Sequence, residues 1–260
     1  MIRLDNISFS YGINGFYLDN ISLKIKEGGF AAVIGPNGSG KTTLIKIAAG
    51  ILAGYTGTVE VNGKNIRGLG DAARARLISY VPQSDSQVFD FTVEEIVMMA
   101  RRPYMGPAGI PGKRDRDVVS AALERCGAAS KRSRLYGSLS GGEKRMVLIA
   151  RATAQETPVI FMDEPTSYLD IHHQAELMEN SAVLAKDGKT VVMILHSVNL
   201  ASEFCDRIIA VQNGRIEADG VPEEAFTQDN VMKIYGGGLR VAQSPVSGKP
   251  NVFFKKTGRK

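Results

Sequence analysis

The residues with the clearest chemical meaning form one uninterrupted run near the N-terminus, Gly35-Pro36-Asn37-Gly38-Ser39-Gly40-Lys41-Thr42-Thr43. The run fits the pattern G-x-x-x-x-G-K-[ST], in which glycines let backbone N–H groups turn toward an anion. An apolar run precedes it and a helical segment follows, so a helix N-terminus would point at the same anion. Lys41 can reach the outer phosphates, and the Thr42 hydroxyl can hold Mg²⁺. The loop therefore predicts a binding site for a nucleoside triphosphate.

Polar residues that follow apolar runs give a second chemical signal. Residues 159–162 are apolar and lead directly into Asp163 and Glu164. A buried strand seldom ends in two acids for stability alone. Asp163 would lie beside the loop and coordinate magnesium, directly or through water, and Glu164 could polarise a water in line with the γ-phosphate. His196 follows another apolar run and could hydrogen-bond the γ-phosphate.

Three further features are ambiguous when each is taken alone. Tyr11 could stack on an adenine ring or close the edge of a hairpin. Gln83 lies at the exit of the apolar run 77–81, where it could hold magnesium, order the attacking water or be an ordinary loop residue. Ser140-Gly141-Gly142 opens a helix and leaves backbone N–H groups bare, which suits either anion binding or simple capping.

The elements that must position these residues are strands in the first part of the chain and helices in the middle. Alternation predicts an edge strand over residues 2–9 and a half-buried antiparallel strand over 21–26. Residues 57–64 add a strand with an Asn-Gly turn. From about residue 86 to 157 the pattern is helical, and Thr92-Val93-Glu94-Glu95 has the form of a capping box.

Composition narrows the class of protein. A length of 260 residues allows one large domain or two small lobes, and 43% hydrophobic with 23% charged residues is ordinary for a soluble globular protein. Two distant cysteines, Cys126 and Cys205, suit a reducing cytoplasm rather than a disulfide framework. Residues 1–5 lack the apolar core of a signal peptide, and no apolar run is long enough to span a membrane. We therefore expect any membrane association to occur through a partner or through the protein surface.

The charge pattern gives little support for a nucleic-acid partner. The net charge of +5 is mild. Part of the excess lies near the C-terminus, where the basic residues face no acidic ones in the sequence; they are Arg240, Lys249, Lys255, Lys256, Arg259 and Lys260. This composition favours a solvated and partly frayed terminus.

The motifs, taken in order, resemble those of the ATPase subunit of ABC transporters over about residues 2–235. They are the phosphate loop, Gln83, Leu139-Ser140-Gly141-Gly142-Glu143, Met162-Asp163-Glu164, Ser167-Tyr168-Leu169-Asp170 and His196. The resemblance implies an α/β fold: a P-loop NTPase core with a mixed sheet, an N-terminal antiparallel β subdomain and an inserted helical subdomain. Residues 1–238 would form the ATPase domain, with the helical subdomain at about 86–157, and 239–260 an extended basic tail.

The resemblance also implies a head-to-tail homodimer with two ATP molecules at its interface. One subunit would supply Tyr11 for adenine, residues 35–43 for the phosphates, Gln83 and Asp163 near magnesium, Glu164 as base or water-orienting group, and His196 at the γ-phosphate. The other subunit would supply Ser140, Gly141 and Gly142. The helical lobe would dock on an integral membrane permease at the cytoplasmic side of the membrane, served indirectly by an external substrate-binding protein. No nucleic acid is expected.

Several details look like the subunits that energise uptake of iron–siderophores, haem or cobalamin. They are Val81-Pro82-Gln83, residues 89–93, His196 followed by Val198-Asn199-Leu200-Ala201, and the tail from Gly238 to Phe254. The chain departs from the family pattern at three positions. Glu143 stands where the family most often has glutamine, Tyr168 replaces a small residue, and Ser197 stands where an aspartate usually follows the histidine. The run Lys144-Arg145-Met146 also lacks the usual glutamine and second arginine.

Two other functions are less favoured. One is a soluble ABC ATPase without a permease, acting in DNA repair, translation or cofactor assembly. A single nucleotide unit and the lack of a strong basic stripe count against it. The other is a nucleotide sensor without hydrolysis, which the filled catalytic positions disfavour.

Overall fold

The computed structural model describes residues 1–12, 17–83 and 90–255. Its strands are β1 Ile2–Ser10, β2 Tyr17–Ile25, β3 Phe30–Ile34, β4 Thr56–Val61, β5 Lys64–Asn65, β6 Ile78–Val81, β7 Val159–Met162, β8 Thr190–Ile194, β9 Arg207–Gln212, β10 Arg215–Gly220, β11 Leu239–Gln243 and β12 Pro250–Phe254. Its α-helices are α1 Lys41–Ala48, α2 Asp71–Ala75, α3 Val93–Met98, α4 Lys113–Arg125, α5 Gly141–Ala154, α6 Ile171–Lys186, α7 Val198–Phe204, α8 Pro222–Ala225 and α9 Gln228–Tyr235. Short 3₁₀ helices lie at Ile66–Gly68, Met99–Tyr104, Ala129–Lys131 and Tyr136–Ser138. Among the described residues, no helix combines the length and apolar character needed to cross a membrane.

A six-stranded mixed sheet carries the nucleotide loop. Its order is β10-β9-β3-β8-β7-β6, with β9, β3, β8, β7 and β6 parallel and β10 antiparallel to β9. Every residue of β3, β7 and β8 is buried. Such continuous burial is expected where both faces of a parallel sheet are covered. The carboxyl ends of β3, β6, β7 and β8 therefore lie along one edge of this sheet.

A smaller antiparallel sheet, ordered β2-β1-β4-β5, packs with α1 on one face of the mixed sheet. The prediction that residues 2–9 form an edge strand is wrong, because β1 pairs with both β2 and β4. Ile2, for example, lies opposite both Ile25 and Val61. Alternation reports which face of a strand is buried, but it does not report how many neighbours the strand has.

The helical part of the chain is inserted between β6 and β7. The capping box predicted at Thr92 is confirmed: its hydroxyl accepts a bond from the Glu95 N–H, and the Glu95 carboxylate accepts one from the Thr92 N–H. Helices α3, α4 and α5 share one apolar core with the second face of the mixed sheet. The insertion is therefore packed onto the nucleotide core along α5.

A buried ion network anchors this insertion. Arg101 is 1% exposed and donates to the Asp115 carboxylate at 3.0 Å, the Glu156 carboxylate at 2.7 Å and the Ala154 carbonyl at 2.8 Å. The Gly112 N–H donates to the other Asp115 oxygen at 2.9 Å. This backbone bond first, and then Arg101, holds the pKa of Asp115 below its usual range despite partial burial. The network joins the start of α4 to the end of α5.

We expect Asp115→Asn to lower the free energy of unfolding by about 1–3 kcal/mol at pH 7, because an amide cannot accept from both donors as the carboxylate does. A carboxyl whose folded pKa is depressed stabilises the fold above its unfolded pKa of about 3.9 and loses that contribution as the pH falls. The difference between wild type and variant should therefore shrink as the pH falls below about 4 and through the lower folded pKa of Asp115. Urea unfolding checks this, with the exposed Asp71→Asn as control. A difference that does not change with pH would contradict it.

The C-terminal segment is a docked hairpin rather than a free tail. β11 and β12 form a hairpin that docks on α7, where the buried Ser202 hydroxyl donates to the Pro250 carbonyl and the Asn199 side chain bonds both backbone groups of Val252. The Lys249 ammonium donates to the Glu203 carbonyl. The expectation of a frayed terminus is wrong for residues 239–255, although Arg240 and Lys255 are exposed to solvent as expected. Residues 256–260, which include Lys256, Arg259 and Lys260, lie outside the described residues, as does Phe89.

Candidate functional site

The glycine-rich loop runs from the end of β3 to the start of α1. At Gly35, with φ of 144°, a Cβ would stand 1.9 Å from the Val211 carbonyl oxygen, so only glycine fits against β9. Gly40 precedes α1 with φ of 105° and gives the helix no side-chain cap. The first N–H groups of α1 are therefore free of a capping side chain and available to an anion.

Two buried polar groups of the loop are suited to phosphate. Lys41 is 5% exposed, and its ammonium donates to the carbonyls of Gly35 at 2.9 Å and Pro36 at 2.8 Å. Burial lowers the pKa of Lys41, against the opposing charges of Glu164 and Asp163. Among the described residues, the buried Ser39 hydroxyl has no hydrogen-bond partner. A buried cation and an orphaned donor in one glycine loop fit the phosphates of a nucleotide.

Asp163 directly follows β7, lies next to the start of α1 and is 1% exposed. It accepts bonds from the Thr42 hydroxyl and the Tyr80 hydroxyl, both at 3.1 Å. Burial raises the pKa of Asp163, and these two bonds oppose the rise. Sequence reasoning missed Tyr80; the available signal was a hydroxyl-bearing residue inside the otherwise apolar run 77–81.

Three polar side chains meet at the exits of β6, β7 and β8. The Glu164 carboxylate accepts from the Gln83 amide at 2.5 Å, and its other oxygen lies 2.6 Å from His196 Nε2. Glu164 itself has φ of 48°, an unusual backbone conformation for a residue with a side chain. The structure thus brings together the three residues predicted at three different strand exits.

These groups line a cleft of about 430 Å³. Its walls are formed by Tyr11, Asn37, Gly38, Gly40, Lys41, Thr42, Thr43, Gln83, Glu164 and His196. The Tyr11 side chain is 58% exposed, lies edge-on to Phe9, and has its hydroxyl 3.4 Å from the Thr43 hydroxyl. The phenol ring is therefore available at the border of the cleft for a planar group.

The donor set fits magnesium only when substrate oxygens complete it. Thr42 and Asp163 offer oxygen ligands within 3.1 Å of each other, and Gln83 stands at the same cleft. Within the described ranges, no group of three or more His, Cys, Asp or Glu side chains could hold a metal. Mg²⁺ is commonly bound by one or two protein oxygens together with phosphates and waters.

The second glycine-containing helix start does not line this cleft in its own chain. The Ser140 hydroxyl accepts from the Glu143 N–H, and the Glu143 carboxylate accepts from the Ser140 N–H. This reciprocal capping gives Glu143 a role at the position where the family pattern departs. A Cβ at Gly141 would meet nothing closer than Tyr168 at 4.0 Å. Ser140 and Gly141 are thus exposed outside the cleft, whereas Gly142 is half-buried and a Cβ there would lie 3.3 Å from the Leu169 side chain.

Two further departures from the family pattern have plain structural outcomes, and the sequence analysis missed a second residue besides Tyr80. The Ser197 hydroxyl caps α7 by accepting from the Leu200 N–H, which an aspartate would also do. Tyr168 is 87% exposed with φ of 66°. Arg145, which the sequence left uninterpreted, reaches the backbone at the exits of β6 and β7.

Comparisons with known proteins agree with this geometry. The family model described as ABC transporter matches residues 18–167. The chain is 38% identical over 236 residues to the cobalamin import ATP-binding protein BtuD of Halobacterium salinarum, covering 90% of this chain and 59% of that protein. The chain therefore spans less than two thirds of that relative. The petrobactin import ATP-binding protein FpuC of Bacillus anthracis is 34% identical over 261 residues, covering 100% of this chain and 95% of that protein.

Solved structures show the same fold. A metal-chelate type ABC transporter in an inward-facing conformation superposes with a TM-score of 0.84 at 27% identity, covering 97% of this chain and 96% of that one. A dimeric bacterial ABC transporter cassette, MJ0796, superposes with a TM-score of 0.77 at 31% identity, covering 85% and 98%. The family model matches more than half of the chain, and with these likenesses it shows that the protein belongs to the ABC transporter family, among its ATP-binding subunits.

Proposed function

We propose that this chain binds and hydrolyses ATP as the motor subunit of an ABC importer for an iron complex, such as a siderophore or haem, or for cobalamin. The observation that carries the catalytic part is the Glu164 carboxylate, which Gln83 and His196 hold at the mouth of a cleft lined by Lys41. The relatives named for cobalamin and petrobactin import support the cargo class. The chain would act at the cytoplasmic side of the membrane as a peripheral subunit.

Each group of the cleft has a chemical task in this proposal. Lys41 exchanges the carbonyls of Gly35 and Pro36 for phosphate oxygens, and the loop N–H groups and the Ser39 hydroxyl bind the same phosphates. Glu164 orients a water and takes its proton, while the bonds from Gln83 and His196 fix the direction of the carboxylate. His196 also hydrogen-bonds the γ-phosphate.

Thr42, Asp163 and Gln83 would hold Mg²⁺ in the same cleft. When bound, the ion would neutralise negative charge that develops on the phosphates. The raised pKa of the buried Asp163 carboxyl supports this assignment, because an uncompensated carboxylate in that place is unfavourable and a cation would stabilise it.

A second copy of the chain would complete the site. Gly141 and Gly142 offer bare N–H groups at the start of α5, next to the exposed Ser140, and none of the three residues lines the cleft of its own chain. In a head-to-tail dimer they would cover the partner's γ-phosphate, while Tyr11 stacks on adenine. The dimeric cassette among the structural neighbours supports this arrangement. The helical insertion would contact integral permease subunits, which an external binding protein serves; no nucleic acid is part of the proposal.

Turnover of ATP by the purified protein tests the proposal. We expect hydrolysis with Mg²⁺ and its loss when EDTA removes the metal, with recovery on adding Mg²⁺ back. Hydrolysis that continues unchanged in EDTA would contradict the metal assignment.

Purification from membranes should recover a permease, and the ligand of its binding protein should stimulate turnover. Recovery with ribosomes or DNA and never with a membrane protein would contradict the importer role.

A further inference from the structure

Three peptide carbonyls at two strand exits converge on one buried guanidinium. Arg145 is 5% exposed and donates to the Pro82 carbonyl at 2.6 Å, the Gln83 carbonyl at 2.8 Å and the Glu164 carbonyl at 3.1 Å. Its planar fork of N–H donors can serve several acceptors in fixed directions. Arg145 therefore joins the segment after β6 to the segment after β7.

The backbone that Arg145 holds carries the two side chains that meet in the cleft. Gln83 and Glu164 are 81 residues apart in sequence, yet the amide of one donates to the carboxylate of the other. Glu164 adopts a left-handed conformation with φ of 48°, which persists only where surrounding contacts enforce it. The bond from Arg145 to the Glu164 carbonyl is one such contact. It fixes the peptide from which the carboxylate projects.

Arg145 lies on α5, so its three carbonyl contacts connect the strand exits to the helix that begins at Ser140-Gly141-Gly142. Ser140 caps the helix, and Arg145 follows five residues later on the same rigid element. A displacement of the start of α5 relative to the sheet would move the guanidinium against all three carbonyls. The orientation of Glu164 and Gln83 is thereby tied to the placement of Ser140, Gly141 and Gly142.

We propose that Arg145 is a positioning residue for ATP hydrolysis. It holds the backbone of Gln83 and Glu164 in a fixed position relative to the start of α5. The proposal rests on the hydrolytic function proposed above. Arg145 does not line the cleft, so its loss should affect the chemical step more than nucleotide binding. Misplacement of a catalytic group by about 1 Å can cost about 100-fold in rate.

The test compares Arg145→Gln, Arg145→Lys and the wild type for kcat, KM and ATP affinity, with Arg151→Gln on the same helix as matched control. We expect Arg145→Gln to lower kcat by about 10- to 100-fold with ATP affinity within about threefold of wild type. Lysine keeps the charge but cannot reproduce the planar fork, so an intermediate kcat is expected. Wild-type kcat in either variant would overturn the proposal. If Arg145→Gln fails to fold, Arg145→Lys decides the question alone.

A double-mutant cycle separates positioning from general stabilisation. If Arg145 acts through Glu164, then adding Arg145→Gln to Glu164→Gln should change the single-turnover rate by less than about twofold. A further loss as large as that of the single variant would overturn the proposal. Absence of hydrolysis in the wild type with Mg²⁺ would instead refute the proposed function, so the two failures are distinguishable.

Discussion

Glu164→Gln is expected to lower ATP turnover by about 10²- to 10³-fold while ATP binding is retained. The amide keeps the shape of the carboxylate and can still accept from Gln83, but it cannot take a proton from water. The substitution also removes a negative charge from the mouth of the phosphate cleft, so ATP affinity should stay equal or rise. Without hydrolysis the ATP-bound dimer should persist and be visible by light scattering.

The exposed Glu179→Gln on α6 is the matched control and should hydrolyse ATP at the wild-type rate. Steady-state phosphate release and nucleotide binding, measured on the same preparations, check both parts of the expectation. Normal turnover in Glu164→Gln would show that the role proposed for this carboxylate is wrong.

Lys41→Met should weaken ATP binding by about 2–5 kcal/mol, or roughly 30- to 4,000-fold, because truncating one partner of a buried charge pair leaves the phosphates without their cation. Methionine retains length and apolar volume, so the fold should survive the exchange. Removal of a buried ammonium whose pKa burial lowers also relieves a desolvation cost in the free protein. The effect should therefore fall on the bound state.

Thermal unfolding with and without Mg-ATP distinguishes binding from stability. ATP at about 100 times its dissociation constant stabilises the wild type by about 2.7 kcal/mol, and at the same ATP concentration this rise should fall to about 0.9 kcal/mol or less in Lys41→Met. The exposed Lys64→Met controls for loss of a lysine and should keep the full rise. An ATP-dependent rise of wild-type size in Lys41→Met would contradict the role of Lys41.

The parts of the site that sequence could predict depend on local spacing or on sheet topology. The phosphate loop, the capping box at Thr92 and the N-cap at Ser140 are each encoded within a few consecutive residues. The meeting of Gln83, Glu164 and His196 follows from topology, since parallel strands end at the same edge of the sheet. Such features need no knowledge of long-range packing.

The features that sequence missed depend on contacts between distant segments. Arg145 bonds carbonyls 63 and 19 residues away, and its side chain gives no sign of which backbone it will reach. The C-terminal hairpin is ordered by Ser202 and Asn199, which lie 48 and 53 residues from their partners. A basic, glycine-containing segment suggests a free terminus until the helix that receives it is known.

The central claim is that each site is built from two copies of the chain, and mixing two inactive variants tests it most directly. Gly141→Glu places an anion at the start of α5, where the helix dipole tolerates it but the partner's γ-phosphate would be repelled. Lys41→Met inactivates only the phosphate loop of its own chain. In a mixed dimer, the loop of the first variant faces the intact Ser140–Gly142 surface of the second. The account predicts ATP hydrolysis in the mixture above the sum of the separate variants; no gain on mixing, or wild-type turnover by Gly141→Glu alone, would contradict it.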